Sequence, residues 1–269
     1  MKRSILTTIL ACLLLGCVQL EGTTIVVIRT PKHFVVAADS LWIGVDPASP
    51  TNEKHAFFCK MRRVGHIYFT SSTSEIDALQ LITLGREAMK TSVTIAEAAQ
   101  KLAAKSDQLA KRTAEMGVPQ SVINECQGHV CSDALFFGIE NGVPTMVHLD
   151  FVQEGRTPST LRFIPHTYTC PGKCKGPWDI FFLGQKQEIV RSDHPKFVNG
   201  TPDQEIARKL VELEEKADPE EVGGPIDVLT LDAQGAHWEP VQGGTCSTEE
   251  SPTKTQKPNK PTPQRGKLQ

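Results

Sequence analysis

Two segments near the start of the chain, residues 23–30 (TTIVVIRT) and 33–40 (HFVVAADS), constrain its fold more than any other stretch. Both are dense in β-branched and apolar residues, which suit a pleated, buried strand. Only Pro31 and Lys32 separate them, so together they read as a hairpin buried on at least one face. A chain that opens this way must supply other apolar elements to cover that hairpin.

The rest of the sequence can supply them. At 269 residues with 39% apolar content, the chain is long enough for one sizeable core. A formal net charge of −2 gives no broad attraction for nucleic acid or anionic lipid, so a nucleic-acid partner is not expected. Lys2 and Arg3 followed by an apolar run over 5–15 have the form of an export signal, too short for a stable membrane anchor. Residues 1–22 are therefore expected to be a signal or propeptide, and the protein to work in the periplasm or cell envelope, or secreted. Leu14-Leu15-Gly16-Cys17 resembles a lipobox, which makes Cys17 a candidate lipid anchor.

Six of the eight cysteines follow the leader, as expected for disulfides in an oxidising compartment. Cys126/Cys131 and Cys170/Cys174 are close enough in sequence to clip local loops, and Cys59 and Cys246 remain for a long-range bridge. Six cysteines leave the connectivity open. Neither close pair has the C-x-x-C spacing of structural zinc, even with His129 between Cys126 and Cys131, so no metal and no cofactor is expected.

Further along, a polar loop over 44–52 precedes a second strand pair over 56–63 and 66–71. A helix is expected from Ser72, which has capping-box spacing to Glu75, through Ile76, Leu79, Ile82 and Met89. A second is expected from Thr94, with Glu97 three residues on, to about Met116. Strands over 135–139 and 145–151 flank Asn141-Gly142, a hairpin turn signal. Strands over 160–169 and 179–183, a helix from Thr201-Pro202 through 206–216, a strand over 226–232 and an arm over 237–241 complete the domain. Strand runs separated by paired helices argue for an α+β fold with antiparallel sheets. One domain over 23–245 accounts for these elements, and 246–269, rich in Pro, Lys and Thr, reads as a disordered tail.

A threonine hydroxyl becomes a useful nucleophile when a base takes its proton, and the α-amine of the same residue can do this if that residue is the first. A lysine beside it would hold the amine's pKa down and stabilise negative charge, and an aspartate would orient the lysine. Thr23 after Gly22, Asp39 in AADS and Lys60 in CKMRRV could be brought together by adjacent strands. Lys54 is a rival for the lysine role, but it lies in a polar stretch. Taken singly, each of the three has an ordinary structural reading; their value is in the combination. His129, His148, His166, Trp42, Trp178 and Trp238 read as structural, and the Asn199-Gly200-Thr201 sequon as idle beside a bacterial-looking leader.

The block EGTTIVVIRTPKHFVVAADS resembles the start of proteasome β-type subunits and their bacterial relatives, members of the Ntn-hydrolase superfamily. KMRRV, SSTSEIDAL, ALFFGIENGVPTMVHLDF and VGGPIDVLTLDAQG extend the resemblance more weakly over about 200 residues. The resemblance implies an αββα four-layer sandwich and an amide-bond hydrolase with Thr23 as nucleophile and its amine as base. Asp39 and Lys60 would tune that amine, and a backbone N–H near Ser71 or Ser72 would complete an oxyanion hole. The sequence departs from the family where Gly184-Gln185-Lys186 stands for Gly-Ser-Gly, where residues 218–224 (DPEEVGG) stand for the Asp-x-x-Ser-Gly-Gly loop, and where the loop before Lys60 is several residues longer.

Three functions follow as expectations: a threonine-type peptidase activated by loss of residues 1–22, a hydrolase of small amides using the same residues, or a catalytically inactive envelope lipoprotein that binds or assembles. A peptide or small amide is the expected substrate. A homo-oligomer simpler than a large ring, or a monomer, is the expected assembly.

Overall fold

The computed structural model describes residues 22–46, 49–73, 78–115, 120–174, 176–192, 200–240 and 244–246, with backbone only at 43–46, 49–55, 78, 79, 121, 122 and 125. The leader with Cys17, and Glu75, Ile76, Met116, Asn199 and the chain beyond Cys246, lie outside these residues. The elements run β1 (Thr24–Arg29), β2 (His33–Ala38), β3 (Leu41–Asp46), β4 (Ser49–Phe57), β5 (Arg62–Val64) and β6 (Ile67–Thr73). The helices α1 (Ala78–Lys90), α2 (Ile95–Ala103), α3 (Ser106–Glu115) and α4 (Gln120–Cys126) follow. After them come β7 (Val130–Glu140), β8 (Val143–Glu154), β9 (Arg162–Cys170), β10 (Asp179–Gly184), α5 (Gln187–Arg191), α6 (Asp203–Ala217), β11 (Asp227–Asp232) and β12 (Gly235–Trp238). The protein is α+β, and every strand pairing in its sheets is antiparallel.

One five-stranded sheet has the order β10-β1-β2-β11-β12 and the other β5-β6-β7-β8-β9. The opening hairpin forms as expected and lies at the centre of the first sheet. Its alternate residues face two different cores. Ile25, Val27, Phe34 and Val36 meet Leu135, Phe137 and Met146 of the second sheet, while Val26, Ile28, Val35 and Ala37 meet Ala207, Leu210 and Val211 of α6. Burial on both faces explains why these strands are continuous apolar runs rather than alternating ones. The other face of the second sheet, with Phe69, Phe136 and Val147, packs on Leu81, Ile95 and Leu102 of α1 and α2.

Asn141-Gly142 makes the tight turn between β7 and β8 with both residues at positive φ, 52° and 77°, as a type I′ hairpin requires. Thr94 caps α2, accepting from the Glu97 N–H through its side chain. All three disulfides form: Cys59–Cys246, Cys126–Cys131 and Cys170–Cys174. Cys246, the first residue of the expected tail, is thus tied to the domain. Among the described residues no helix is long and apolar enough to cross a membrane.

Four local expectations need correction. Of the supposed loop over 44–52, the described residues 44–46 and 49–52 belong to a two-stranded ribbon of β3 and β4; Pro50 is tolerated there because the ribbon is all edge and its register shifts near Asp46. The expected strand over 56–63 is interrupted, and Lys60 lies between β4 and β5 rather than on a strand. There the Phe58 N–H turns to the Ser40 carbonyl, and the Lys60 carbonyl accepts from the Thr70 hydroxyl instead of a ladder partner. Ser72 is in β6 opposite Asp133, not at a helix start, because strand pairing outweighs its local capping signal. The second helix divides at Ala104-Lys105 into α2 and α3.

Phe137 stands where the two sheets meet, edge-on to Phe34 at 5.7 Å and stacked on Tyr68 at 5.4 Å between ring centroids. Phe137→Ala is expected to lower the stability of the fold by about 3–5 kcal/mol, read as a lower midpoint in urea denaturation.

Candidate active site

The hairpin sets the geometry of the site. Ala38 is the last β2 residue in register with β1, opposite Ile25, and Asp39 follows it. The Asp39 N–H donates to the Thr24 carbonyl at 3.3 Å, and the Thr24 N–H donates back to Asp39 Oδ1 at 2.8 Å. This reciprocal pair fixes the carboxylate beside the start of β1. The Gly223 N–H reaches Asp39 Oδ2 at 3.4 Å from the loop between α6 and β11, and the Ser40 and Leu41 N–H groups donate to the Gly223 carbonyl.

Lys60 enters from the other sheet's side. Its Nζ donates to Asp39 Oδ1 and Oδ2 at 2.8 and 2.7 Å and to Thr23 Oγ1 at 2.9 Å. Thr23, Asp39 and Lys60, singled out from the sequence, therefore form one hydrogen-bonded unit. Thr23 is still joined to Gly22 here, and its hydroxyl donates to the Gly22 carbonyl at 2.7 Å. The Thr23 carbonyl accepts from the Gln185 N–H at 2.7 Å, and the neighbouring Thr24 hydroxyl donates to the Gln185 carbonyl at 2.9 Å.

The ion pair is deeply buried, with side-chain exposures of 5% for Lys60 and 0% for Asp39. Burial pushes the Lys60 ammonium below the usual lysine range, against the pull of Asp39. Burial likewise pushes the Asp39 carboxyl up, opposed by Lys60 and by the Thr24 and Gly223 N–H groups. A buried lysine with a depressed pKa can give up or share a proton far more readily than one in water.

Ser71 and Ser72 lie on β6 opposite Ala134 and Asp133, beyond the Ile67–Phe69 stretch that pairs with β5. Gly184, at φ +74°, explains how tightly this edge closes on Thr23. A Cβ at Gly184 would lie 2.0 Å from the Thr23 carbonyl oxygen and 2.6 Å from Ser72 Oγ, so only glycine fits. Lys54 lies on β4 opposite Gly44, away from this unit in the sequence of pairings. In the segment that departs from Gly-Ser-Gly, the Gln185 side chain donates to Asp218 at 2.9 Å, linking the two altered segments.

One grouping was not legible from spacing. Asp133, His148 and Asp150 bring potential metal-ligand atoms within 4.8 Å of one another. They share one face of β7 and β8, and Asp133 Oδ2 accepts from the Gly184 N–H at 3.4 Å, beside the start of β1. His148 Nε2 lies 3.3 Å from Asp150 Oδ1, and burial holds the ring below its usual pKa despite Asp150. Cross-strand register, not sequence separation, assembles these three residues. Trp178 donates to Asp203 at 3.0 Å and Trp42 packs edge-on to Phe58, in keeping with structural roles.

Because Lys60 has no water to replace its partner, Asp39→Asn is expected to cost about 3–5 kcal/mol of stability in a denaturant titration. Removing both charges, as Asp39→Asn with Lys60→Met, is expected to recover part of that loss. Additive losses in the double variant would contradict the coupling inferred from the geometry.

No family model matches the chain, and no curated protein does. Among solved structures, the chain is similar to the Gly-1 mutant of Anbu from Hyphomicrobium sp. strain MC1, at 12% sequence identity and a TM-score of 0.50. The match covers 82% of this chain and 86% of that one. At this identity the likeness speaks for the fold alone, and it suggests one of proteasome-like type.

Proposed function

We propose that this protein is an N-terminal-threonine amide-bond hydrolase, a threonine-type peptidase or amidase, made active by removal of residues 1–22. The observation that carries this reading is the buried Lys60 ammonium, held by both oxygens of Asp39 and donating at 2.9 Å to Thr23 Oγ1. A purely structural ion pair has no need to reach the hydroxyl of the residue that begins the domain.

The chemistry starts with the Gly22–Thr23 bond. The Thr23 hydroxyl lies against the carbonyl of the bond to be broken, so attack by its oxygen is intramolecular and needs little further ordering. Cleavage frees the Thr23 α-amine, whose ordinary pKa of about 8 suits a general base at neutral pH. That amine would take the hydroxyl proton as Oγ1 attacks a substrate carbonyl. The tetrahedral oxyanion would be met by a backbone N–H at the Ser71–Ser72 edge of β6. The proton then passes to the leaving amine, and water hydrolyses the resulting threonine ester. Lys60 favours the ionised oxygen electrostatically and keeps the neighbouring amine unprotonated. Asp39 orients Lys60.

In this reading residues 23–245 form the catalytic domain, with two sheets between helical faces as an αββα Ntn-hydrolase sandwich. The protein is exported, a placement with which its three disulfides are compatible. The substrate is a peptide or a smaller amide.

Turnover of fluorogenic peptide amides by the processed protein tests the proposal. Thr23→Ala and Lys60→Ala are each expected to lower kcat/KM by about 100-fold or more, while Thr23→Ser retains measurable turnover. Turnover unaffected by Thr23→Ala would place the chemistry elsewhere.

A further inference from the structure

We propose that the Cys59–Cys246 disulfide is a positioning device for Lys60, so that hydrolytic competence depends on this one pair being oxidised. The inference rests on the catalytic role proposed above for Lys60 and adds the element that holds it in place.

Lys60 has no strand of its own. It occupies the break between β4 and β5, whereas Thr23 and Asp39 directly adjoin the paired strands β1 and β2. Other restraints replace the strand ladder: the Phe58 N–H to the Ser40 carbonyl, the Phe58 ring against Trp42 and Arg62, the Thr70 hydroxyl to the Lys60 carbonyl, the Lys60–Asp39 ion pair, the buried Met61 side chain, and the disulfide on the adjacent Cys59. Of these only the disulfide is covalent, and it spans 187 residues of sequence.

The far end of that bridge is anchored on β11, in register with the residue before Asp39. Cys246 and Thr245 donate their N–H groups to the carboxylate of Asp227, and the Thr245 hydroxyl adds a further bond. Asp227 is only 4% exposed. It stands opposite Ala38 in the β2–β11 register, one residue before Asp39. A closed ring results, running from Asp39 through β2 and β11 to Asp227, on to Cys246, across the disulfide to Cys59, and from Lys60 back to Asp39. Three backbone and side-chain donors gathered on a buried carboxylate fix the position of Cys246. They make sense if Cys246 must sit still for Lys60 to do so.

Opening the ring is a two-electron step. A dithiol reductant breaks the Cys59–Cys246 bond, leaves two cysteine thiols, and is itself oxidised to its disulfide. The segment carrying Lys60 is then held by its hydrogen bonds, the Asp39 ion pair and the packing of Phe58 and Met61, without a covalent tie. Its ammonium becomes free to leave Asp39 and Thr23 for water.

The test is acylation of lysines with a water-soluble amine reagent, read residue by residue by mass spectrometry, on wild type, Cys59→Ser/Cys246→Ser and the control Cys126→Ser/Cys131→Ser. The first variant is expected to keep its far-UV circular dichroism, to acylate Lys60 at least about tenfold faster, and to lose at least about tenfold in kcat with KM little changed. The control is expected to do none of these. A folded Cys59→Ser/Cys246→Ser protein with Lys60 as protected and kcat as high as wild type would overturn the proposal. If that variant fails to fold, native protein is reduced in stages with a dithiol. Molecules with only the Cys59–Cys246 pair open should acylate Lys60 faster, and unchanged protection in them would overturn the proposal equally. Labelling does not require turnover. A wild type that hydrolyses nothing would therefore count against the hydrolase reading, while the labelling would still decide the role of the disulfide.

Discussion

The ammonium of Lys60 and the carboxylate of Asp39 are shut away from water at 2.7 Å, and neither would tolerate its position without the other. Everything around them serves to keep both in place. Asp39 is fixed by the hairpin through Thr24 and by the 223–224 loop through Gly223. Lys60 comes from the second sheet's side of the molecule, so the pair can form only if the two sheets are packed face to face. The apolar contacts between Val27, Val36, Leu135 and Phe137 thus set the chemistry as much as the stability. Spare donor capacity on Lys60 then reaches the Thr23 hydroxyl, and a structural necessity becomes a candidate catalytic one.

The cost of this arrangement is tight clearance. Gly184 cannot carry a side chain because the Thr23 carbonyl and the Ser72 hydroxyl occupy the space. Thr24 has its own hydroxyl tied to the Gln185 carbonyl, which leaves Thr23 as the threonine whose hydroxyl meets Lys60. Two adjacent threonines thereby acquire different roles from their environments alone. Asp133 and His148, just beyond Gly184, place polar side chains close to Thr23, beside the apolar core between the sheets.

Much of this was legible in the residues. The hairpin was, because strands buried on both faces leave an unbroken apolar signature, and so was the Asn141-Gly142 turn, because few residues accept two positive φ angles in succession. Thr23, Asp39 and Lys60 were found together because their chemistry makes sense only jointly. What escaped was decided by tertiary contacts. Ser72 carries a helix-capping signal, yet β7 claims it for a sheet. Residues 44–52 look like a loop in composition, yet 44–46 and 49–52 belong to an isolated ribbon, where proline does little harm. Lys60 read as a strand residue because apolar neighbours flank it, whereas a disulfide and a hydroxyl hold it in a break between strands. The division at Ala104-Lys105 has neither glycine nor proline to announce it, and the Asp133, His148 and Asp150 grouping depends on a register that no spacing reveals.

The central claim is that Thr23 becomes a free N-terminal nucleophile by its own action. The most direct measurement is N-terminal sequencing with intact mass of the exported protein beside its Thr23→Ala variant. The account predicts that the wild type begins at Thr23 with its mass reduced by the whole leader, while the variant keeps residues before position 23. A wild type and variant that both begin at the same earlier residue, with a lipid mass on Cys17 as the sharpest case, would contradict it. Thr23 would then keep its amide, the nucleophile would lack its base, and a binding role for the same scaffold would be the better account.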